Sequence, residues 1–278
     1  MAYNTPQETA QIAVQVGVSK AALSPGKALV GGFLAGAYIA FGGLLAIVAS
    51  AGLDPKTWGG LVTLVTGITF SLGLVLTIVG GAELLTGNMM LLPIAVLRGR
   101  LSLLGLAINW VWVLIGNLLG SLFVAYVLAD RTGVIGTLSS KAGTPAASAY
   151  SRLAAITIGK AITESNLKVF CRAIGCNWLV CVAVWLALAA TDVAGKILGI
   201  VLPITAFVAL GFDHVVANMF FLPLAMWQHV PVVSFEHLLS NLVFALIGNI
   251  IGAALFVAGA YWYLYLQGQP DPETASIE

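Results

Sequence analysis

Two short polar segments decide the fold of this chain: GGAELLTGN at residues 80–88 and GFDHVVAN at residues 211–218. They interrupt apolar stretches at 59–97 and 197–228, each too long for one straight crossing, since a helix spans a bilayer in about 20 residues. The other apolar stretches are 28–52, 101–129, 169–190 and 237–266. The pattern predicts an all-α membrane protein with six transmembrane helices, of which the second and fifth are broken.

The composition agrees with a membrane environment. Of the 278 residues, 60% are hydrophobic and 8% are charged, whereas a soluble domain carries roughly 25% charged residues. The formal net charge is +1, and no basic cluster interleaved with aromatic residues is present. Nucleic acid is therefore excluded as a partner.

The two interruptions are copies of each other. Aligned without gaps, they pair Glu83 with Asp213 and Asn88 with Asn218, and the heptapeptides LIGNLLG and LIGNIIG recur at nearly the same offset. A copy with three spans enters the membrane from the opposite side, so we expect an inverted repeat. The predicted parts are an N-terminal segment (1–27), a channel domain (28–266) with repeats at 28–129 and 169–266 and a linker at 130–168, and a C-terminal tail without regular structure (267–278).

The acids Glu83 and Asp213 lie at membrane depth, where a charge must face protein or water rather than lipid. One interpretation is a negative lining that selects cations. The favoured one is that both carboxylates accept hydrogen bonds from backbone N–H groups freed by the breaks. Each break also creates a helix N-terminus, which attracts anions.

His214 is the histidine placed inside an apolar stretch, within the second interruption. A buried histidine is commonly structural, but neutral imidazole can also donate to an anion, and its charge responds near neutral pH. Thr86 adds a hydroxyl in the first interruption, although a threonine more often bonds its own helix. Asn177, also at membrane depth, has the chemistry to hydrogen-bond the imidazole ring.

Three segments together resemble the formate/nitrite transporter family, which includes formate, nitrite and hydrosulfide channels. They are FSLGLVLTIVGGAELLTG (70–87), GCNWLVCVAVW (175–185) and AFVALGFDHVVANMF (206–220). The resemblance covers about residues 28–266 and implies an aquaporin-like fold, a homopentamer with one pore per subunit, and both termini in the cytoplasm. It also implies a multi-pass protein of the cell inner (plasma) membrane.

The resemblance assigns roles by motif position. His214 is implied as the central pore histidine, Asn177 as its hydrogen-bond partner and Thr86 as the tip of the loop that breaks the second span. Lys160 falls near a vestibule lysine, one residue out of register. Acids and amides are implied to brace the breaks, at Glu83, Asp213, Asn88 and Asn218. Bulky residues are implied to form constrictions, at Phe70, Leu74, Leu84, Val180 and Phe207. Two departures from the family pattern are Leu85, where an aromatic residue is common, and Asp213, where formate channels often have glutamate.

We therefore expect a channel or transporter for formate, with nitrite or hydrosulfide as alternatives, and not an enzyme; no cofactor or metal is expected. Proton sharing at His214 would lower the cost of crossing for a weak-acid anion. A neutral-solute pore for water or glycerol is less favoured because the Asn-Pro-Ala signature is absent. A respiratory membrane anchor, with His214 binding haem or quinone, lacks a second histidine at membrane depth.

Overall fold

The computed structural model describes residues 3–269, which form helices joined by short turns. In chain order the helices are α1 (Pro6–Ala21), α2 (Pro25–Ser50), α3 (Pro55–Trp58), α4 (Leu61–Phe70), α5 (Leu72–Val79), α6 (Leu85–Leu97), α7 (Leu103–Phe123), α8 (Pro145–Ile158), α9 (Asn166–Ala189), α10 (Val193–Ala209), α11 (Val215–Trp227), α12 (Phe235–Ala253) and α13 (Ala260–Tyr265). Stretches of π-helix prolong α7, α8 and α12, at Val124–Asp130, Gly159–Thr163 and Ala254–Gly259.

Five helical stretches within residues 3–269 are long and apolar enough to cross a membrane. They are Pro25–Ser50, Leu61–Val79, Leu103–Asp130, Asn166–Ala189 and Phe235–Tyr265. Helices α6, α10 and α11 are also apolar but shorter. The prediction of an all-helical membrane protein is confirmed by these helices.

Both sequence interruptions coincide with non-helical backbone. Residues 80–84 lie between α5 and α6, and residues 210–214 lie between α10 and α11. Each segment turns at a glycine with positive φ, 76° at Gly81 and 70° at Gly211. A side chain is strained in this conformation, so the two glycines allow α6 and α11 to start in a new direction.

Glycines in the repeated heptapeptides let two helix pairs pack backbone to backbone. A methyl group on Gly120 of α7 would lie 1.9 Å from the Phe33 carbonyl oxygen of α2. On Gly252 of α12 it would lie 2.3 Å from the Ile174 carbonyl oxygen of α9. Small residues give helices this close approach in membranes, where hydrophobic driving force between helices is missing. The α2–α7 and α9–α12 pairs therefore have the same packing.

The N-terminal segment and the linker contain helices that the sequence analysis did not predict. Helix α1 begins with a capping box in which Glu8 and Thr5 exchange hydrogen bonds, and it packs against α6 and α9. Helix α8 occupies the linker and packs against α2 and α11. The expected tail at 267–278 falls mostly on residues 270–278, which lie outside the described residues.

Candidate functional site

Glu83 is held by a network of side chains from α1, α6 and α7. Its carboxylate accepts from the Lys20 ammonium at 2.7 Å and from the Asn88 amide at 3.1 Å. Asn88 also donates to the side-chain oxygen of Asn109 at 2.9 Å, and Asn109 donates to the backbone oxygen of Lys20 at 2.9 Å. The network closes on itself, so the buried charge has both a counter-ion and hydrogen bonds.

Asp213 has the same arrangement in the second half of the chain. Lys160 lies 2.8 Å from its carboxylate, and the Asn218 amide donates to it at 3.0 Å. Asn218 also donates to Asn241 at 2.7 Å, and Asn241 donates to the backbone oxygen of Lys160 at 3.2 Å. Glu83, Asp213, Asn88 and Asn218 thus belong to two equivalent networks beside the non-helical segments, which we call the bracing networks.

The expectation that Glu83 and Asp213 accept hydrogen bonds from freed backbone N–H groups is wrong for the described residues. Those N–H groups are satisfied by amides of the repeated heptapeptides: Asn117 accepts from the N–H of Leu85 at 2.9 Å, and Asn249 accepts from that of Val215 at 2.9 Å. The physical reason is that a buried carboxylate needs a counter-charge, which lysine supplies, whereas an amide can accept and donate at once.

Each of these amides also donates across its break. Asn117 donates to the Glu83 carbonyl at 2.8 Å and to that of Gly32 at 2.8 Å. Asn249 donates to the Asp213 carbonyl at 2.9 Å and to that of Ala173 at 2.8 Å. Gly32 and Ala173 are therefore equivalent positions of the two halves, which sets the register between α2 and α9.

This register shows where the halves differ. His214 occupies the position of Leu84, and Thr86 occupies that of Val216. Four residues beyond Gly32 and Ala173, Gly36 of α2 corresponds to Asn177 of α9. The bracing network is thus nearly symmetric. At Thr86, Asn177 and His214, by contrast, one half has a polar side chain where the other half has an apolar residue. Such a local departure from symmetry is the pattern expected of a functional site grafted on a symmetric scaffold.

His214 caps the first turn of α11, and its ring joins the two halves. Its Nδ1 accepts a hydrogen bond from the Ala217 N–H at 3.1 Å. An accepting Nδ1 carries no hydrogen, so the neutral ring has its hydrogen on Nε2 and donates to the Thr86 hydroxyl oxygen at 2.9 Å. Phe207 covers the ring, with ring centroids 5.9 Å apart, and Phe70 packs edge-on against Phe207 at 5.7 Å.

Asn177 does not take the partner that the sequence analysis gave it. Within residues 3–269, its amide donates to the Thr86 backbone oxygen at 3.2 Å and to that of Asn249 at 2.8 Å, not to the His214 ring. Both nitrogens of that ring are engaged by other groups. Asn177 therefore positions the backbone that presents the Thr86 hydroxyl.

A cavity of about 250 Å³ lies beside the ring of His214, and we call it the inner cavity. The residues used below that line it are Thr66, Phe70, Arg152, Lys160, Glu164, Phe207 and His214. Lys160 is 14% exposed and engaged by Asp213. The constriction residues Leu74, Leu84 and Val180 are buried elsewhere in the apolar core. Within residues 3–269, they do not line this cavity.

Glu164 is a cavity residue that the sequence analysis missed, because it lies in the linker, outside every apolar stretch and repeat. Its carboxylate pairs with Arg172. Burial raises the pKa of Glu164, and the nearby charge of Asp213 raises it further, while Lys160 and Arg172 oppose the change. A carboxyl group with a raised pKa thus faces the same cavity as His214.

Metal and disulfide sites are not found in the part of the chain that the structure describes. No group of three or more histidine, cysteine or acidic residues within 3–269 could hold a metal ion. The cysteines are free; Cys176 and Cys181 are buried and Cys171 is exposed.

Comparison with known proteins adds independent information. The profile of the formate/nitrite transporter family matches residues 7–263. A protein described as a probable formate transporter, from Methanothermobacter thermautotrophicus, is 45% identical over 95% of this chain and 98% of its own length. A solved structure described as an FNT family ion channel has a TM-score of 0.83 and 29% identity, and the match covers 92% of this chain and 98% of that one. Another, described as a pentameric formate channel with formate bound, has a TM-score of 0.74 and 28% identity over 87% of this chain and 98% of its own.

Proposed function

The chain belongs to the formate/nitrite transporter family, and we propose that it is a multi-pass membrane channel conducting formate, with nitrite or hydrosulfide as alternative substrates. The observation that carries this proposal is the hydrogen bond between His214 and Thr86. It joins the two non-helical segments through two polar residues whose equivalents in the other half, Val216 and Leu84, are apolar. The imidazole lines the inner cavity and the Thr86 hydroxyl lies within hydrogen-bond distance of it, so the pair is suited to receive a small anion.

We propose that the helices form six spans in two inverted repeats. Helices α4 and α5 with α6 would make the broken second span, and α10 with α11 the broken fifth. The shared bracing networks and the matching helix pairs support this assignment. The pentameric formate channel among the similar structures supports a homopentamer. Orientation with both termini in the cytoplasm, in the inner membrane, remains part of the proposal and is testable by labelling single cysteines at each terminus from either side.

In the proposed mechanism, the anion enters the inner cavity and passes the paired rings of Phe70 and Phe207 to reach His214. Leu74, Leu84 and Val180 would form a second constriction beyond the ring. The Nε2–H now donated to Thr86 can be donated to the anion instead, and the Thr86 hydroxyl, whose own hydrogen is not used in that bond, can donate as well. Two donors would thus replace part of the hydration that the anion loses at the constriction.

Proton sharing places a further demand on the ring. A neutral imidazole donates one hydrogen bond but has no second proton to give. To transfer a proton, His214 must be an imidazolium, in which both ring nitrogens are donors, so the Ala217 N–H must lose its acceptor. Proton transfer is therefore coupled to the start of α11, whereas simple hydrogen bonding is not.

Selectivity would follow from the chemistry of weak acids. An anion that takes up a proton becomes neutral and avoids most of the cost of placing an unpaired charge in a medium of low dielectric constant. Chloride cannot do this. We therefore expect formate, nitrite and hydrosulfide to pass in preference to chloride.

The test is uptake into proteoliposomes of the purified full chain, comparing formate, nitrite, hydrosulfide and chloride with empty liposomes. We expect rapid uptake of at least one weak-acid anion and slow uptake of chloride. Fast water or glycerol flux without anion flux would contradict the proposal and favour a neutral-solute pore.

A further inference from the structure

A second cavity, of about 560 Å³, lies next to the inner cavity and is lined by the linker and by the residues that follow α2. We call it the outer cavity. Hydroxyl groups and one guanidinium dominate its polar lining, at Ser50, Thr137, Ser140, Ser148, Tyr150, Ser151 and Arg152. Arg152 and Ala155 of α8 line both cavities. The side chain of Arg152 is therefore the polar part of the wall between them.

Arg152 is held in place by two hydroxyl groups. Its Nε donates to the Ser50 hydroxyl of α2 at 2.8 Å, and its Nη2 donates to the Thr66 hydroxyl of α4 at 2.9 Å. Each hydroxyl in turn donates to its own helix, to Ala46 and Val62 respectively. A guanidinium has five N–H donors, so these two bonds fix its plane and leave three donors, both on Nη1 and one on Nη2, without a partner among the described residues.

The charge of Arg152 is also uncompensated. Among residues 3–269 no carboxylate oxygen lies within ion-pair distance of it, whereas the other charged groups on the inner cavity are paired: Lys160 with Asp213, and Glu164 with Arg172. In the outer cavity the acid is Asp54, which caps the short helix α3 by accepting from the Lys56 N–H at 2.9 Å. A half-buried cation without a counter-ion is costly, and an incoming anion would remove that cost.

Tyr150 supplies a second, independent observation. It lines the outer cavity and is 7% exposed. Its hydroxyl is buried and makes no hydrogen bond within the described part of the chain. A buried hydroxyl without a partner is rare and calls for an explanation, such as a ligand.

We propose that Arg152 and Tyr150 form an anion-capture site that takes a small planar anion with two oxygen atoms, such as formate or nitrite, from the outer cavity and passes it to the inner cavity. The inference rests on the proposed function, since it concerns the same substrate. The free donors of a fixed guanidinium match two oxygens in one plane. Because the site lies ahead of Phe70 and Phe207, it would govern how well the anion is collected rather than how fast it passes His214.

The experiment measures the formate concentration that gives half-maximal uptake in proteoliposomes of the full chain. We expect Arg152→Gln to raise it about tenfold, the effect typical of losing a hydrogen bond to a charged partner, with uptake at saturating formate changed less than about twofold. Tyr150→Phe should raise it about threefold, and because the hydroxyl has no protein partner, this variant loses no hydrogen bond of the fold. Lys141→Gln is the matched control: it removes one exposed positive charge from the linker without touching either cavity.

A binding measurement separates this inference from the proposed function. Line broadening of isotopically labelled formate in NMR spectra, with the chain in detergent, reports binding without transport. Weaker binding in both variants but not in the control supports the capture site, even if wild-type vesicles prove inactive and the channel proposal fails. Unchanged binding in Tyr150→Phe and Arg152→Gln, or an equal loss in Lys141→Gln, overturns it.

Discussion

Nε2 of His214 lies 2.9 Å from Oγ1 of Thr86, although 128 positions separate the two residues in the chain. The bond depends on both non-helical segments, because each residue stands where one of them meets the following helix. Asn117 and Asn249 fix those segments by bridging a carbonyl and an N–H across each break. The position of the asymmetric pair therefore depends on the amides that hold both segments.

Thr86→Val should impair transport more than folding. Valine has the shape of threonine and is the residue found at the equivalent position 216. The substitution removes a hydroxyl that would donate to the anion, and a hydrogen bond to a charged partner contributes about 1.5–3 kcal/mol. We expect formate uptake to fall about tenfold or more, since each 1.4 kcal/mol corresponds to a factor of ten.

The control for this prediction is Thr86→Ser, which keeps the hydroxyl and should keep most of the uptake. Wild-type uptake by the valine variant would show that the hydroxyl has no part in permeation.

Lys160→Met should destabilise the protein because it leaves Asp213 buried without its counter-ion. Removing one partner of a buried ion pair costs about 3 kcal/mol or more. The measurement is the midpoint of thermal unfolding in detergent, which we expect to fall by several degrees. The double variant Lys160→Met/Asp213→Asn should recover part of the loss, and Lys56→Met, at an exposed site, should change nothing.

This ion-pair prediction separates bracing from conduction. A normal unfolding midpoint for Lys160→Met, together with lost formate uptake, would mean that Lys160 serves the anion directly instead of holding Asp213.

Glu164→Gln should change the pH dependence of uptake. Burial raises the pKa of Glu164, so its carboxyl takes up a proton at higher pH than an ordinary glutamate as the pH falls. Protonation removes a negative charge from the inner cavity and should ease the entry of an anion. Wild-type uptake should therefore rise on acidification, while the glutamine variant should already be faster at neutral pH and rise less.

The matched control for Glu164 is Glu236→Gln, which neutralises an exposed acid at the start of α12. Leak through empty liposomes is subtracted at each pH. Identical pH profiles for wild type and Glu164→Gln would show that Glu164 does not control the pH dependence of uptake.

Much of the fold and the family could be predicted from the sequence, because the apolar stretches and the repeated motifs are contiguous segments of it. Apolar length indicates membrane helices, and the repeated G-x-[ED]-x-x-x-x-N-M pattern located both non-helical segments. Membership of the formate/nitrite transporter family is confirmed over residues 7–263. The same pattern specifies Glu83 and Asp213, and its second copy contains His214.

The partners of those residues could not be predicted, since they depend on tertiary contacts. Lys20 lies in the polar N-terminal segment, where nothing in the sequence links it to Glu83, yet α1 brings the two together. Residue type and the family resemblance both predict that Asn177 bonds the His214 ring, but the packing of α9 places its amide against backbone oxygens instead. Arg152 and Glu164 lie in a linker without periodic apolar pattern, so only the packing of α8 places them on a cavity.

The most direct test of the central claim is formate uptake by His214→Asn at acidic and neutral pH, beside His214→Phe and the oligomeric state of each variant. Asparagine can still cap α11, so it removes the imidazole while keeping the helix start. We predict normal assembly of the asparagine variant, with formate uptake that has lost its preference over chloride and keeps only the part of its pH dependence that Glu164 supplies. Wild-type rate, selectivity and pH dependence in both assembled variants would contradict the claim that His214 mediates anion passage.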